Sequence, residues 1–169
     1  MRIIWFILLA ALVAGCGSGG GVTGNAVEPG PGPVPAPAPS QATVYITTSA
    51  ASAATVIYGV ELVLHLPAGV TVPAKPDGEV LDGILQTAGS GVSAGARYVP
   101  ATASARASVK IIIPDPGGFA VGDLAALTCT IAPPASVKAT DFTLVDFVAK
   151  DANGATMGGI TPHFTVQTQ

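Results

Sequence analysis

Charge is scarce in this chain. Only 10% of its 169 residues are Asp, Glu, Lys or Arg, with 7 basic against 10 acidic side chains and a net charge of -3. No run of Lys or Arg occurs anywhere. Nucleic-acid binding needs a basic stripe that releases counterions from phosphates, so no nucleic-acid partner is expected. Aromatic residues are fewer still, at 5%, and the single tryptophan is Trp5. The two histidines, His65 and His163, stand far apart. A zinc site needs three or four ligands, and with no Cys/His cluster no metal site and no cofactor are expected. Long hydrophobic runs are missing too. Hydrophobic residues make up 49% of the chain and mean hydropathy is +0.59, yet the longest uncharged apolar run is Ile3–Val13. A membrane-spanning helix needs about 20 such residues. The length suits one domain.

What is present begins at the N-terminus. Met1-Arg2 supplies a short positive region, Ile3–Val13 an apolar one, and Ala14-Gly15 two small residues before Cys16. This is the layout of an export signal, residues 1–15, which stands outside the fold. The segment Leu12-Val13-Ala14-Gly15-Cys16 resembles a bacterial lipobox. The resemblance implies cleavage before Cys16, a diacylglyceryl thioether on its sulfur and an acyl group on the new amine, so that Cys16 is the lipidation site. Each buried CH₂ contributes about 0.8 kcal/mol, and stable anchoring takes more than one chain. Two or three acyl chains meet that condition, making membrane lipid the first expected partner. Gly17, rather than Asp, follows the cysteine, and likeness to Gram-negative lipoproteins then implies the outer membrane, with the domain periplasmic or surface-exposed. With Cys16 acylated, Cys129 has no intramolecular disulfide partner. It alternates with Thr128 and Thr130 beside Leu127 and Ile131, and reads as a core cysteine.

Residues 16–40 follow as the lipidated cysteine and a linker, glycine-rich over Gly17–Gly21 and proline-rich over Pro29–Pro39. Such a composition cannot bury enough apolar area to offset the entropy of ordering it. Its proline part is expected to be extended polyproline II, at about 3.1 Å per residue, or roughly 34 Å in all.

From Gln41 to Gln169 the pattern changes to period two. Val44 and Ile46 alternate with Tyr45 and Thr47. Tyr58, Val60, Leu62, Leu64 and Leu66 share one face, opposite Gly59, Glu61, Val63 and His65. Val109, Ile111 and Ile113 alternate with Lys110 and Ile112. Leu127, Cys129 and Ile131 come next, then Phe142 and Leu144 opposite Val145 and Phe147. Last come Ile160, Phe164 and Val166, opposite Thr161, His163 and Thr165. Turn residues close each run: Pro67-Ala68-Gly69, Pro76-Asp77-Gly78, Pro114-Asp115-Pro116-Gly117-Gly118, Pro133-Pro134 and Asn153-Gly154. Short alternating strands with this punctuation predict an all-β chain, an antiparallel β-sandwich of jelly-roll type with about eight or nine strands. Asn153-Gly154 predicts a hairpin joining Val145–Ala149 to Ile160–Val166. The runs Val60–Pro67, Val70–Val72, Gly78–Val80 and Ser108–Ile113, followed by Gly117–Leu124, the strand to Ile131 and Asp151–Ala155, resemble cohesin-type modules. That family shares its sandwich with certain cellulose-binding modules. The resemblance implies protein docking, as of cohesin with dockerin, or attachment to polysaccharide.

Catalytic patterns dissolve on inspection. Gly91-Val92-Ser93-Ala94-Gly95 matches G-x-S-x-G, with Asp141 or Asp146 and then His163 following, but that pattern needs a strand–turn–helix within a parallel α/β sheet. Gly15–Gly20 matches G-x-G-x-x-G only across the cleavage site and precedes no helix. Asp151-Ala152-Asn153-Gly154 opens like a calcium loop, yet no acidic residue follows to close it. Asp77, Glu79 and Asp82 cluster around a turn and read as a solvated loop rather than a glycosidase pair. No catalytic residue is expected, and the chain reads as a binding protein, not an enzyme. Sugar platforms use stacked aromatic rings, and here only Tyr45 and Tyr98 are expected at the surface. A protein partner, dockerin-like or another surface protein, is therefore favoured over polysaccharide; a structural envelope or assembly subunit is the third reading. The anchor has a direct check. Intact-mass analysis of membrane-extracted protein is expected to show a chain starting at acylated Cys16, and Cys16→Ser is expected to release it from the membrane fraction.

Overall fold

The computed structural model describes residues 40–89 and 93–169. The export signal, Cys16, the linker up to residue 39 and Gly91-Val92 lie outside the described residues. Among the described residues ten strands form in chain order: β1 (Gln41–Ala50), β2 (Val56–His65), β3 (Val70–Thr71), β4 (Leu85–Thr87), β5 (Gly95–Val99), β6 (Ser108–Ala120), β7 (Asp123–Ile131), β8 (Thr143–Lys150), β9 (Thr156–Met157) and β10 (Ile160–Thr168). One 3-10 turn, Ala139–Asp141, precedes β8. The expectation of an all-β sandwich holds. The strand number exceeds the expected eight or nine because β3, β4 and β9 are only two or three residues long, too short to show a period.

The strands form two antiparallel sheets. Sheet I runs β10-β1-β7-β3, with β4 also paired to β7, and sheet II runs β5-β6-β2-β8-β9. The chain changes sheet repeatedly, which keeps each apolar run facing the same interior. Ala42, Val44 and Ile46 of β1 and Leu127, Cys129 and Ile131 of β7 meet Val60, Leu62 and Leu64 of β2 and Val109, Ile111 and Ile113 of β6. All are buried in a single aliphatic cluster. At about 25 cal/mol per Å² of apolar surface removed from water, this layer is the main source of stability. Phe142, Leu66 and Ala149 extend it toward the ends.

Of three register shifts in the described ladders, at Ile46/Thr47, Ile57/Gly59 and Glu61/Val63, the last two change the expected faces. Between Ile57 and Gly59 the pairing with β6 shifts, because four residues of β6, from Asp115 to Gly118, bow out of the ladder. The Pro114–Gly118 segment therefore interrupts β6 without ending it. Ile57 and Val60 both point inward, while Tyr58 leaves the core face on which period two had placed it. Gly118, at φ 74°, makes the excursion feasible: a Cβ there would meet Val56 Cγ1 at 2.5 Å and the Tyr58 ring at 3.1 Å. The second bulge lies in β8. Val63 pairs with Val145 and Glu61 with Val148, so Asp146 and Phe147 together oppose Leu62. Phe147 consequently packs on the core side with Phe142 and Leu144, not opposite them. The hairpin at Asn153-Gly154 forms, but its second strand is β9: Lys150 pairs with Thr156 and Ala149 with Met157. Gly159, at φ 75°, then turns the chain into sheet I, where β10 pairs with β1 rather than with β8.

Asp146 is the one described non-glycine residue with positive φ, at 51°, a region that short polar side chains tolerate and β-branched ones do not. Asp146→Gly is expected to leave stability within a few tenths of a kcal/mol. Asp146→Val should cost about 1–3 kcal/mol, read as a drop in urea midpoint at constant slope.

Candidate functional site

The outer face of sheet II is built by register. Residues alternating with the buried core stand in rows across four strands. One row is Arg97, Lys110, Val63 and Val145; the next is Gly95, Ile112, Glu61 and Val148. A third is Val99, Ser108, His65 and Thr143. Neighbouring strands lie about 4.8 Å apart, so these side chains make one continuous surface. Ile112 is 40% exposed and Val99 49%, and Val63, Val145 and Val148 are half-buried.

Glu61 sits within this aliphatic patch. Lys150 donates a hydrogen bond to its Oε1, and Lys110 Nζ lies 3.6 Å from its Oε2. The hydrogen bond and charge of Lys150, with a smaller contribution from Lys110, hold the Glu61 carboxyl below its ordinary range. Exposed ion pairs add little to stability. Their effect here is geometric, since three long side chains share one charge centre among half-buried valines. Arg97 stands directly across from Lys110, a like-charge neighbour that sheets normally avoid. An open depression of about 380 Å³ lies beside Arg97, Lys110 and Ile112, with Asp77 and Glu79 at its rim.

The catalytic candidates do not converge. Ser93 is exposed just before β5. Asp141 ends the 3-10 turn, where its Oδ2 accepts the Lys138 N–H at 2.8 Å. Asp146 lies in sheet II. His163 lies in sheet I and shares a 3.0 Å hydrogen bond with Ser49. Asp151 turns its carboxylate onto its own hairpin, accepting the Asn153 and Ala155 N–H groups at 2.9 and 2.8 Å. Asp77 accepts the Glu79 N–H at 3.1 Å, and Glu79 pairs with Lys75 at 2.8 Å. Among the described residues no group of three or more His, Cys, Asp or Glu is placed to hold a metal ion. His65 is half-buried on sheet II. Tyr98 departs from expectation: it packs inward against the core, and desolvation raises its phenol above the ordinary value. Tyr58 takes its place nearer the surface. The Glu61 centre was missed by sequence reasoning, because its three members come from strands whose register no local pattern reveals.

No family model matches this chain, and no curated protein or solved structure matches it significantly.

Cys129 is fully buried, and burial pushes its thiol up to about 12 from 9.0. The folded state thus keeps a proton that the unfolded chain releases above about pH 9. Stability is therefore undiminished by this group below pH 9 and falls as pH rises from 9 toward 12. Cys129 is expected to resist iodoacetamide at pH 8 in the native protein and to react fully in 6 M guanidinium, as counted by mass spectrometry. Cys129→Ala should flatten the alkaline loss of stability.

Proposed function

We propose that this chain is a lipid-anchored envelope protein whose sandwich docks a protein partner through the outer face of sheet II. The observation that carries the proposal is the aliphatic surface of Ile112, Val63, Val145, Val148 and Val99 arranged around the Glu61 charge centre. Protein interfaces combine an apolar middle with a few fixed polar groups that set register, and charge complementarity steers the encounter. Burying a side chain such as Ile112 contributes about 1.5–3 kcal/mol, so a handful of them can support a specific complex. The signal, Cys16 and the Gly/Pro-rich linker support an outer-membrane tether that holds the domain away from lipid. Likeness to cohesin-type modules favours a dockerin-like or other surface protein as the partner. The dispersal of Ser93, Asp141, Asp146 and His163 over separate elements supports a binding role without catalysis.

Full-length protein, crosslinked in its own cell envelopes, should capture a defined protein. Ile112→Asp and Val148→Asp, both on the exposed side of sheet II, should lower that capture at least about tenfold with thermal midpoints unchanged within a few degrees. Capture that survives both substitutions would remove this face from the interface.

A further inference from the structure

One edge of the sandwich stands open. β10 closes sheet I and pairs only with β1. Gln41 and Gln169 exchange backbone hydrogen bonds in both directions, at 3.1 and 2.9 Å, and this fixes the phase of the β1–β10 ladder. In an antiparallel pair, residues that exchange such bonds alternate with residues that do not. Along the register, Thr43–Gln167, Tyr45–Thr165 and Thr47–His163 are therefore exchanging pairs. Phe164, Val166 and Thr168 turn their N–H and C=O groups away from β1. Thr48 agrees with this phase, since its N–H leaves β1 on the other side, toward the Gly122 carbonyl at 2.7 Å.

Among the described residues no strand lies beyond β10, and side-chain burial records the gap. Val44 pairs with Val166, and Ile46 with Phe164, on the same inward face. Val44 and Ile46 are at most 1% exposed, whereas Val166 and Phe164 stay half-buried.

We infer that a second copy of this chain adds its own β10 here, antiparallel, about a two-fold axis at Val166. In that register Val166 faces the partner's Val166, and Phe164 faces the partner's Thr168. Each facing pair exchanges two hydrogen bonds. Pro162 sets the limit of the pairing, because it holds the next outward position and has no N–H to give. Moving the axis one residue toward it would set Pro162 against the partner's Thr168, whose carbonyl would then find no donor.

The composition of β10 suits an identical partner. The strand contains no Asp, Glu, Lys or Arg, so two copies bring no fixed like charges together. Thr165 meets the partner's Gln167 on the outer face, while Phe164 and Val166 gain cover on the inner one. The other edges carry the guards that folded sheets use against such pairing. β5 bears Arg97 and is flanked by Gly78 and Val80, which bond to its backbone. β8, open over residues 143–148, is bent by the bulge at Asp146. β3, β4 and β9 are two or three residues long. β10 instead runs through nine residue pairs without a bulge, with Pro162 as its one guard. Pairing through this single long edge uses it up, so association closes at two copies and does not propagate. A contact built on one strand from each copy falls at the small end of specific interfaces, about 1,200 Å² or less, so the dimer is reversible.

Sedimentation of the full-length protein in detergent, across a wide concentration range, should show a monomer–dimer equilibrium that stops at two copies. Val166→Pro removes the central N–H, and Thr165→Lys places like charges beside the axis on exposed positions. Each should weaken the dimer at least about tenfold, with the Thr165→Lys thermal midpoint unchanged within a few degrees. Thr165→Cys and Gln167→Cys carried together should give a disulfide-linked dimer in oxidised cell envelopes, since facing residues of this kind lie within disulfide reach. Ile112→Asp, on sheet II, should leave the dimer intact, so this edge and the protein-docking face succeed or fail separately. A monomer at every concentration would overturn the inference. So would association that Val166→Pro and Thr165→Lys both leave intact, association that Ile112→Asp abolishes, or growth beyond two copies.

Discussion

The structure depends on one constraint: every long strand must deliver alternate side chains to the same dry layer. Val44, Leu62, Leu64, Val109, Ile111 and Leu127 come from four strands of two sheets, and each is at most 1% exposed. The consequence reaches both outer surfaces. Once these residues are committed inward, their neighbours in sequence are committed outward, and the strand register decides which of them stand side by side. Glu61 meets Lys110 and Lys150 only because Leu62 and Ile111 face the core. Tyr45 joins Thr165 and Ala126 in one row because Val44 and Ile46 do the same.

Where the chain departs from strict alternation, the departure has a local cause. The excursion of β6 at Asp115–Gly118 inverts the parity of β2 before Gly59, and the extra residue at Asp146 inverts it in β8. Each bulge adds strand length without moving the buried residues beyond it out of the core. The price is a backbone position that only Gly118 or a short polar residue such as Asp146 accepts at low strain.

Much of this was legible in the residues themselves. The inward faces of β1, β6, β7 and β10 follow from period two, and the outward position of Ile112 and Tyr45 follows with them. Tyr58 and Phe147 were misplaced because a bulge leaves no mark in hydrophobic periodicity. β4 and β9 were illegible for a simpler reason, since two or three residues cannot display a repeat, while β3 entered only through the resemblance that included Val70–Val72. The hairpin at Asn153-Gly154 was legible as a turn, but the two-residue strand after it was not. Tyr98 reads as a surface aromatic until its pairing with Val109 turns it toward the interior. The Glu61 cluster and the open edge of β10 needed cross-strand register, which is a property of the assembled sheets.

One further feature bears on how the domain carries load. Ser40 and Gln41 both donate their N–H groups to the Gln169 carbonyl, and Gln169 returns a bond to Gln41. Tension applied at Ser40 therefore reaches β1 along its own axis, with β10 and β7 laddered on either side. Detaching β1 from that direction means sliding it past both neighbours and breaking their hydrogen bonds together rather than one after another.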